Sequence, residues 1–228
     1  MKVLSTKTLD SDTLAYAQTL NLEVVCMDFI KITAVLFDIE NIDPKDFDTV
    51  VFTSANAVKY FFENSAAVEL VKHKAVFALR GKTDEGLLAK EIKATITGNT
   101  ASELADSIID AKSSKALLHV CGNLKLPVLE NKLKAAGIRY SDLIVYQTVL
   151  CTEKKINELF DAVLFYSPSG VDAFFGQNDV GDKTVCCCIG QTTANALRAK
   201  KNIAKIITAH QPSPVAMLTM VADYWKLN

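Results

Sequence analysis

What this sequence has little of narrows its class. With 9 Gly and 5 Pro in 228 residues, it is neither collagen-like nor low-complexity. No apolar run approaches the roughly 18 residues needed to span a bilayer. The start, Met1-Lys2-Val3-Leu4-Ser5-Thr6-Lys7, turns polar too early for a signal-peptide apolar region, so a cytoplasmic protein with no membrane partner is expected. Neither sign of charge is in excess: 25 Lys and Arg face 26 Asp and Glu, for a formal net charge of −1. A general nucleic-acid binder would show a basic excess. The six cysteines, Cys26, Cys121, Cys151 and Cys186-Cys187-Cys188, form no CxxC pair and have no His at zinc spacing. Neighbouring cysteines on a strand point to opposite faces and do not bridge easily, so they read as small core residues. GxGxxG, Walker, GxSxG and HExxH signatures are missing. His73, His119 and His210 are scattered and read as surface or packing residues, without a Ser-His-Asp order.

What is present is enough apolar residue, 50%, to bury a core, in a length that allows one large domain or two small ones. The chain also repeats itself. Asp48-Thr-Val-Val-Phe-Thr-Ser-Ala-Asn-Ala-Val58, followed by Phe61-Phe62, matches Asp161-Ala-Val-Leu-Phe-Tyr-Ser-Pro-Ser-Gly-Val171, followed by Phe174-Phe175, at an offset of 113. Leu79-Arg-Gly-Lys-Thr83 matches Ile189-Gly-Gln-Thr-Thr193 at 110, and Val3-Leu4 more faintly matches Ala116-Leu117 at 113. Matched blocks in one order indicate a duplicated unit of about half the chain.

Short β-branched runs read as strands buried on both faces: Val24-Val25, Val50–Phe52, Ala75–Leu79, Leu117–Val120, Ile138, Val163–Phe165, Val185–Ile189 and Ile206-Ile207. Capped helical patterns lie between them. Thr100 and Glu103 form a capping box. Leu126, Leu129 and Leu133 form a stripe that ends at Gly137. Ser213-Pro214 opens a last helix. Such alternation predicts an α/β fold of parallel sheets covered by helices, with ligands beyond the C-terminal strand ends. Hydroxyls stand there: Thr53-Ser54, Thr83, Ser167-Pro168-Ser169 and Thr192-Thr193. Each serves as a helix cap, and paired helix starts also offer free N–H groups to carboxylate or phosphate. Lys7, Arg80, Lys82, Lys125 and Arg139 lie near predicted strand ends, each otherwise a solvated charge. Tyr146, in Ile144-Val-Tyr146-Gln-Thr148, reads either as packing or as a catalytic residue.

The blocks Val51–Val58, Gly122…Leu129…Leu133…Gly137…Tyr146-Gln-Thr148, Phe165–Val171, Ile189–Leu197 and Ala209-His-Gln-Pro-Ser213, taken in order, resemble the uroporphyrinogen-III synthase family of the tetrapyrrole pathway. The resemblance implies two flavodoxin-like parallel-sheet lobes, interleaved in sequence and joined by a two-stranded linker. Residues 1–33 and 152–228 would form one lobe and 41–145 the other, with 34–40 and 146–151 as connecting strands. It implies a monomer without metal or organic cofactor. The implied substrate is hydroxymethylbilane, a linear tetrapyrrole of eight carboxylates, closed with inversion of the last pyrrole. Loss of the terminal hydroxyl gives a cationic azafulvene; the substituted carbon of the last pyrrole attacks, and a spiro intermediate re-closes in reverse. Tyr146 would protonate the departing hydroxyl, since a phenol keeps its proton at neutral pH. Thr53, Ser54, Asn56, Thr83, Gly122, Ser167, Ser169, Gly170, Gln191, Thr192 and Thr193 would bind substrate, and Lys7, Arg80 and Lys82 would meet carboxylates. Three positions depart from the family pattern: Arg80 and Lys201 where it prefers Gly, and Cys121 where Arg is frequent.

The same duplication could build a non-catalytic two-lobed binding or sensor domain. A racemase with one cysteine per half does not fit, because Cys121 minus 113 is Thr8 and Cys187 minus 110 is Phe77. A flavodoxin-like electron carrier leaves the duplication unexplained.

Overall fold

The computed structural model describes residues 1–200 and 203–227; the departure at Lys201 lies outside them. In chain order the elements are β1 (Lys2–Ser5), α1 (Ser11–Thr19), β2 (Glu23–Cys26), β3 (Ile30–Ala34), β4 (Thr49–Phe52), α2 (Ala55–Phe61), α3 (Ala66–Val71), β5 (Ala75–Leu79), α4 (Lys82–Leu88), β6 (Ile96–Gly98) and α5 (Ala101–Ala111). There follow β7 (Ala116–Gly122), α6 (Val128–Ala135), β8 (Arg139–Leu150), β9 (Ala162–Phe165), α7 (Pro168–Phe174), β10 (Val185–Cys188), α8 (Gln191–Arg198), β11 (Lys205–Thr208) and α9 (Pro214–Leu227). The fold is α/β with parallel sheets. By contact the chain divides into a terminal unit, Met1–Lys31 with Val149–Asn228, and a middle unit, Ile32–Thr148.

The middle unit's sheet runs β3-β8-β7-β4-β5-β6, and the terminal unit's runs β11-β10-β9-β1-β2. Strand β4 pairs in parallel with β5 and β7, as β9 does with β10 and β1. Counted from β4, five of the middle unit's six strands read 3-2-1-4-5, with β3 added at the edge beside β8. The terminal unit reads the same when counted from β9, with β1 and β2 in the fourth and fifth places. Numbered along the chain instead, the terminal sheet is 2-1-3-4-5, the flavodoxin order. The one architecture is thus built twice, cut at different points of the chain.

The strand ladders refine the repeat. Thr49 and Ala162, counterparts at 113, pair with Leu117 and Val3. Val3 is therefore the counterpart of Leu117, and the faint match at the chain start shifts to 114. Arg80 does not take the place of a capping glycine either. Gly81, at φ +82°, is the residue before α4, as Gly190 is before α8. The first repeat carries one extra residue at this turn, and the left-handed conformation falls to the glycine that tolerates it.

The first connecting strand was expected at residues 34–40. The strand instead lies at Ile30–Ala34, and Ile39–Asn41 forms a 3₁₀ turn because Asp38 accepts from the Glu40 N–H. The second connecting strand was expected at residues 146–151; all of these but Cys151 are the end of β8, whose ladder with β7 runs on to Gly122 and Tyr146. Ser54, Thr100, Ser167 and Ser213 cap their helices through side-chain oxygens. Thr83, Thr192 and Thr193 do not, since they sit inside the first turns of α4 and α8 behind glycine caps. Leu129 and Leu133 are buried, whereas Leu126 precedes α6 and is exposed.

Alternation along the central strands feeds both faces of each sheet. Val50 and Phe52 enter one core cluster and Val51 the other, as Val163 and Phe165 do against Leu164. The repeated Phe-Phe pair closes the same aromatic triad in each unit. Phe52–Phe61 and Phe165–Phe174 meet edge-on with centroids 5.5 and 5.3 Å apart, while Phe52–Phe62 and Phe165–Phe175 stack at 5.9 and 6.1 Å. Edge-to-face geometry suits the ring quadrupoles. Phe61→Ala and Phe174→Ala should each cost about 3–5 kcal/mol in urea unfolding; a loss below about 1 kcal/mol would show that the triad is not tightly packed.

Candidate active site

An open parallel sheet of this order has its switch point where connections leave to opposite sides, and ligands bind there beyond the strand ends. In the middle unit that point lies between β4 and β7. A cavity of about 210 Å³ opens there, lined by Thr53, Ser54, His119, Cys121, Gly122, Lys125 and Tyr146 among apolar Leu79, Ala101, Leu124, Leu126 and Leu129.

Two local features aim Tyr146 into it. The β7–β8 register slips after Cys121–Ile144, so that Gly122 faces Tyr146 and Val145 is the extra residue. Such a bulge re-aims the next side chain: Val145 enters the core while Tyr146 stays half-buried. A Cβ on Gly122 would stand 2.8 Å from the Tyr146 hydroxyl and closer still to its ring, so glycine is required. The ring stacks on Tyr60 at 6.1 Å, and the hydroxyl donates to Ser54 Oγ at 3.1 Å. Ser54 thus holds both Tyr146 and, as a cap worth about 1 kcal/mol, the Asn56 N–H.

Beside this pair lies a polar group that the sequence pattern assigns to packing. His119, in an otherwise buried strand, is 2% exposed. Its Nε2 lies 2.8 Å from Thr53 Oγ1 and its Nδ1 2.6 Å from the Tyr140 hydroxyl. Lys125 bridges the carboxylates of Glu130 and Asp142. Burial holds His119 neutral, lowering its pKa to about 4, and outweighs the pull of Asp142. Burial likewise pushes the Cys121 thiol up to about 12. Hydrogen bonding from Lys125 and Lys134 lowers Glu130 to about 2. The signal in the sequence was one histidine inside a continuous apolar strand.

His119, Cys121 and Asp142 bring potential metal-ligand atoms within 4.8 Å of one another. Their chemistry does not suit a cation: both imidazole nitrogens are engaged, the thiol holds its proton, and an ammonium sits on the carboxylate. The trio reads as a hydrogen-bonded network.

The terminal unit repeats the arrangement between β9 and β1. Ser5 Oγ lies 3.1 Å from the Tyr166 hydroxyl, with Lys7 over the Tyr166 ring. Ser167 accepts the Gly170 N–H and lies 3.1 Å from Ser169. Gln191 and Thr192 are exposed at the start of α8, whereas Thr193 is buried. Of the residues expected in the middle unit, Thr53, Ser54, Gly122 and Tyr146 share the cavity. Asn56 sits beside it in the first turn of α2. Thr83 is buried in α4, and Lys82 is exposed there. Arg80 is hydrogen-bonded to Thr97 along a different rim. Lys125 is the basic residue that lines the cavity.

A doubly wound sheet with a small, largely apolar switch-point cavity, walled by a phenol, hydroxyls and a neutral imidazole, is the signature of an α/β protein acting on a small molecule. Comparison with known proteins gives the family. The profile described as Uroporphyrinogen-III synthase HemD matches residues 11–219. The structure is similar to uroporphyrinogen-III synthetase from Helicobacter pylori, with TM-score 0.73, 19% identity, and 100% of this chain and 99% of that one covered. It is also similar to a mutant uroporphyrinogen III synthase from Thermus thermophilus, with TM-score 0.71, 18% identity, and 100% of both chains covered. The chain belongs to the uroporphyrinogen-III synthase family, cyclising lyases of haem biosynthesis. Among the described residues, no helix is long and apolar enough to cross a membrane.

The buried imidazole sets a pH dependence. A histidine whose pKa is lower in the folded than in the unfolded chain contributes no loss above the unfolded value, 6.5, and costs stability as pH falls from there toward about 4. The loss should approach roughly 3 kcal/mol at pH 4. His119→Gln should flatten that part of a urea-denaturation series; an unchanged slope would mean that His119 titrates normally.

Proposed function

We propose that the cavity between β4 and β7 is where this chain converts hydroxymethylbilane to uroporphyrinogen III, with Tyr146 as the proton donor to the departing hydroxyl. The observation that supports this is the bulge, which brings the phenol against Gly122 and onto Ser54 in a mostly apolar cavity. As the hydroxyl leaves with the phenol proton, Ser54 turns its own O–H to the phenolate. The azafulvene cation then forms beside apolar walls that exclude water, and the substrate's pyrrole nitrogens supply the push. Holding the reactive conformer favours the spiro route over direct closure.

The carboxylates are met elsewhere. Lys7, Arg80 and Lys82 are exposed, and the starts of α4, α7 and α8 offer N–H groups beside Thr83, Ser167, Ser169, Gly170, Gln191, Thr192 and Thr193. Asn56 supports the Ser54 turn. The near-neutral charge supports an enzyme with no nucleic-acid partner; the state we propose for it is a cytoplasmic monomer.

Purified protein given hydroxymethylbilane should yield the type III porphyrin isomer after oxidation. The type I isomer alone, as forms in buffer, would overturn the synthase activity, and tight binding without turnover would mark a sensor domain. Tyr146→Phe should lower kcat by about 100-fold with the melting curve unchanged; unaltered kinetics would remove Tyr146 from the reaction. Gly122→Ala, which displaces the Tyr146 ring, should lower kcat similarly.

A further inference from the structure

Two of the leucines that line the cavity are also mostly in water. Leu129 is buried and Leu79 half-buried, but Leu124 and Leu126 are 55% and 62% exposed. A single exposed leucine needs no explanation; two on one short connection, at the rim of an apolar cavity, do. They stand on residues 123–127, which join β7 to α6, and polar groups hold that connection in place. Asn123 prolongs the β7–β8 ladder: its N–H donates to the Tyr146 carbonyl at 3.3 Å, and its side-chain oxygen accepts from the Thr148 N–H at 2.8 Å. The Lys125 ammonium donates to Glu130 at 2.7 Å, to Asp142, and to the Tyr140 hydroxyl at 3.5 Å. An ammonium has three protons to give, and these partners on α6 and β8 take them. Residues 123 and 125 turn to their anchors, and the alternate residues 124 and 126 are left exposed at the cavity.

The duplication shows that the fold does not require this arrangement. Ser5 and His119 hold the same place, since they pair with the counterparts Leu164 and Val51. The next helix begins six residues after Ser5, at Ser11, and nine residues after His119, at Val128. The longer connection is the one beside Tyr146. Its acidic anchor is particular to it as well: Asp142 pairs with His119, and Cys26 stands in that place beside Ser5.

We propose that Leu124 and Leu126 form an apolar lip that lies on the hydroxymethyl-bearing pyrrole of the substrate and keeps water from the azafulvene, and that Lys125 is the positioning residue that fixes this lip. This rests on the synthase reading of the cavity and deepens it. At about 210 Å³ the cavity is smaller than the roughly 300–1,000 Å³ that encloses a drug-sized ligand, so it takes one ring of the tetrapyrrole and leaves the others outside. The azafulvene is electrophilic at its exocyclic methylene carbon. Water adding there, with loss of a proton, returns hydroxymethylbilane; attack by the last pyrrole carries the reaction forward. Leucine at the rim displaces that water and offers it no hydrogen bond. A connection already tied down by Asn123 and Lys125 spends little binding energy on ordering the lip when the ring arrives.

The test is turnover of hydroxymethylbilane in oxygen-18 water, with substrate recovered part-way. With the wild type, the recovered substrate should carry no more label than an enzyme-free control. Leu124→Ala combined with Leu126→Ala, both at exposed positions, should lower kcat/KM roughly tenfold, about the worth of one buried leucine, label the recovered substrate above the control, and reduce the type III yield per substrate consumed. Methionine at both positions should restore the wild-type pattern. A lower kcat/KM with unlabelled substrate would mean that the leucines only bind, and would overturn the lip. Lys125→Met should also label the substrate, but should add no label in the double-alanine background; an independent gain there would overturn its positioning role. If Lys125→Met does not fold, Glu130→Gln, which removes one of its anchors, takes its place. A wild type that forms no type III isomer overturns the synthase reading and the lip with it; type III isomer from the wild type, with unlabelled substrate from the alanine variant, overturns the lip alone.

Discussion

Each sheet is held at its centre by a strand from one repeat pairing in parallel with a strand from the other. In the middle unit this joint is β4 with β7, and in the terminal unit β9 with β1. Residues 2–111 and 116–227 are the two copies, yet neither closes a sheet alone. Each copy lends its first two strands to the unit that holds the last three of the other. The constraint sets the place of the cavity as well as the fold, because the joint is also where connections depart to opposite sides of the sheet. The crevice that results is the cavity of Thr53, His119 and Tyr146. Duplication gave two such joints, and divergence at one pair of facing residues, Ser5–Tyr166 against His119–Thr53, made them chemically different.

Much of this was legible along the chain because the signals are local. Ser54 and Ser167 follow strands and cap helices, and the Phe-Phe pairs return at a fixed offset as paired aromatic triads. The network behind Thr53 was not legible. His119 is 66 residues from Thr53 and 21 from Tyr140, and only strand pairing brings them together. Burial then changes what they are: an imidazole that would titrate near neutrality in water stays uncharged. The one-residue details failed for the same reason. Whether a chain-start match lies at 113 or 114, or whether Arg80 or Gly81 precedes α4, is settled by ladder hydrogen bonds and a positive φ.

Tyr146 shows how little sequence separates packing from chemistry. A regular β8 would continue its alternation through Val145 and Tyr146. Val145 would share the core face of Leu143 in any case; the extra residue in the ladder turns Tyr146 to that face as well, where the phenol meets Ser54, and the space exists only because residue 122 has no Cβ. A bulge and a glycine, each ordinary alone, together place a phenol in the cavity.

The charge distribution completes the division of labour. A polycarboxylate substrate and a protein of net charge −1 are poorly matched by overall charge. The basic residue lining the cavity makes the mismatch sharper, since Lys125 is already engaged by Glu130 and Asp142. A free cation there would draw a carboxylate into the reaction chamber and oppose the cationic azafulvene. Compensated by two carboxylates, it leaves a largely apolar cavity, which on the proposed reaction suits a cationic pyrrole better than a free ammonium would. The carboxylate contacts proposed for exposed groups such as Lys7 and Lys82 and for helix N–H groups fit that division, because they work in solvent without imposing their charge on the ring closure.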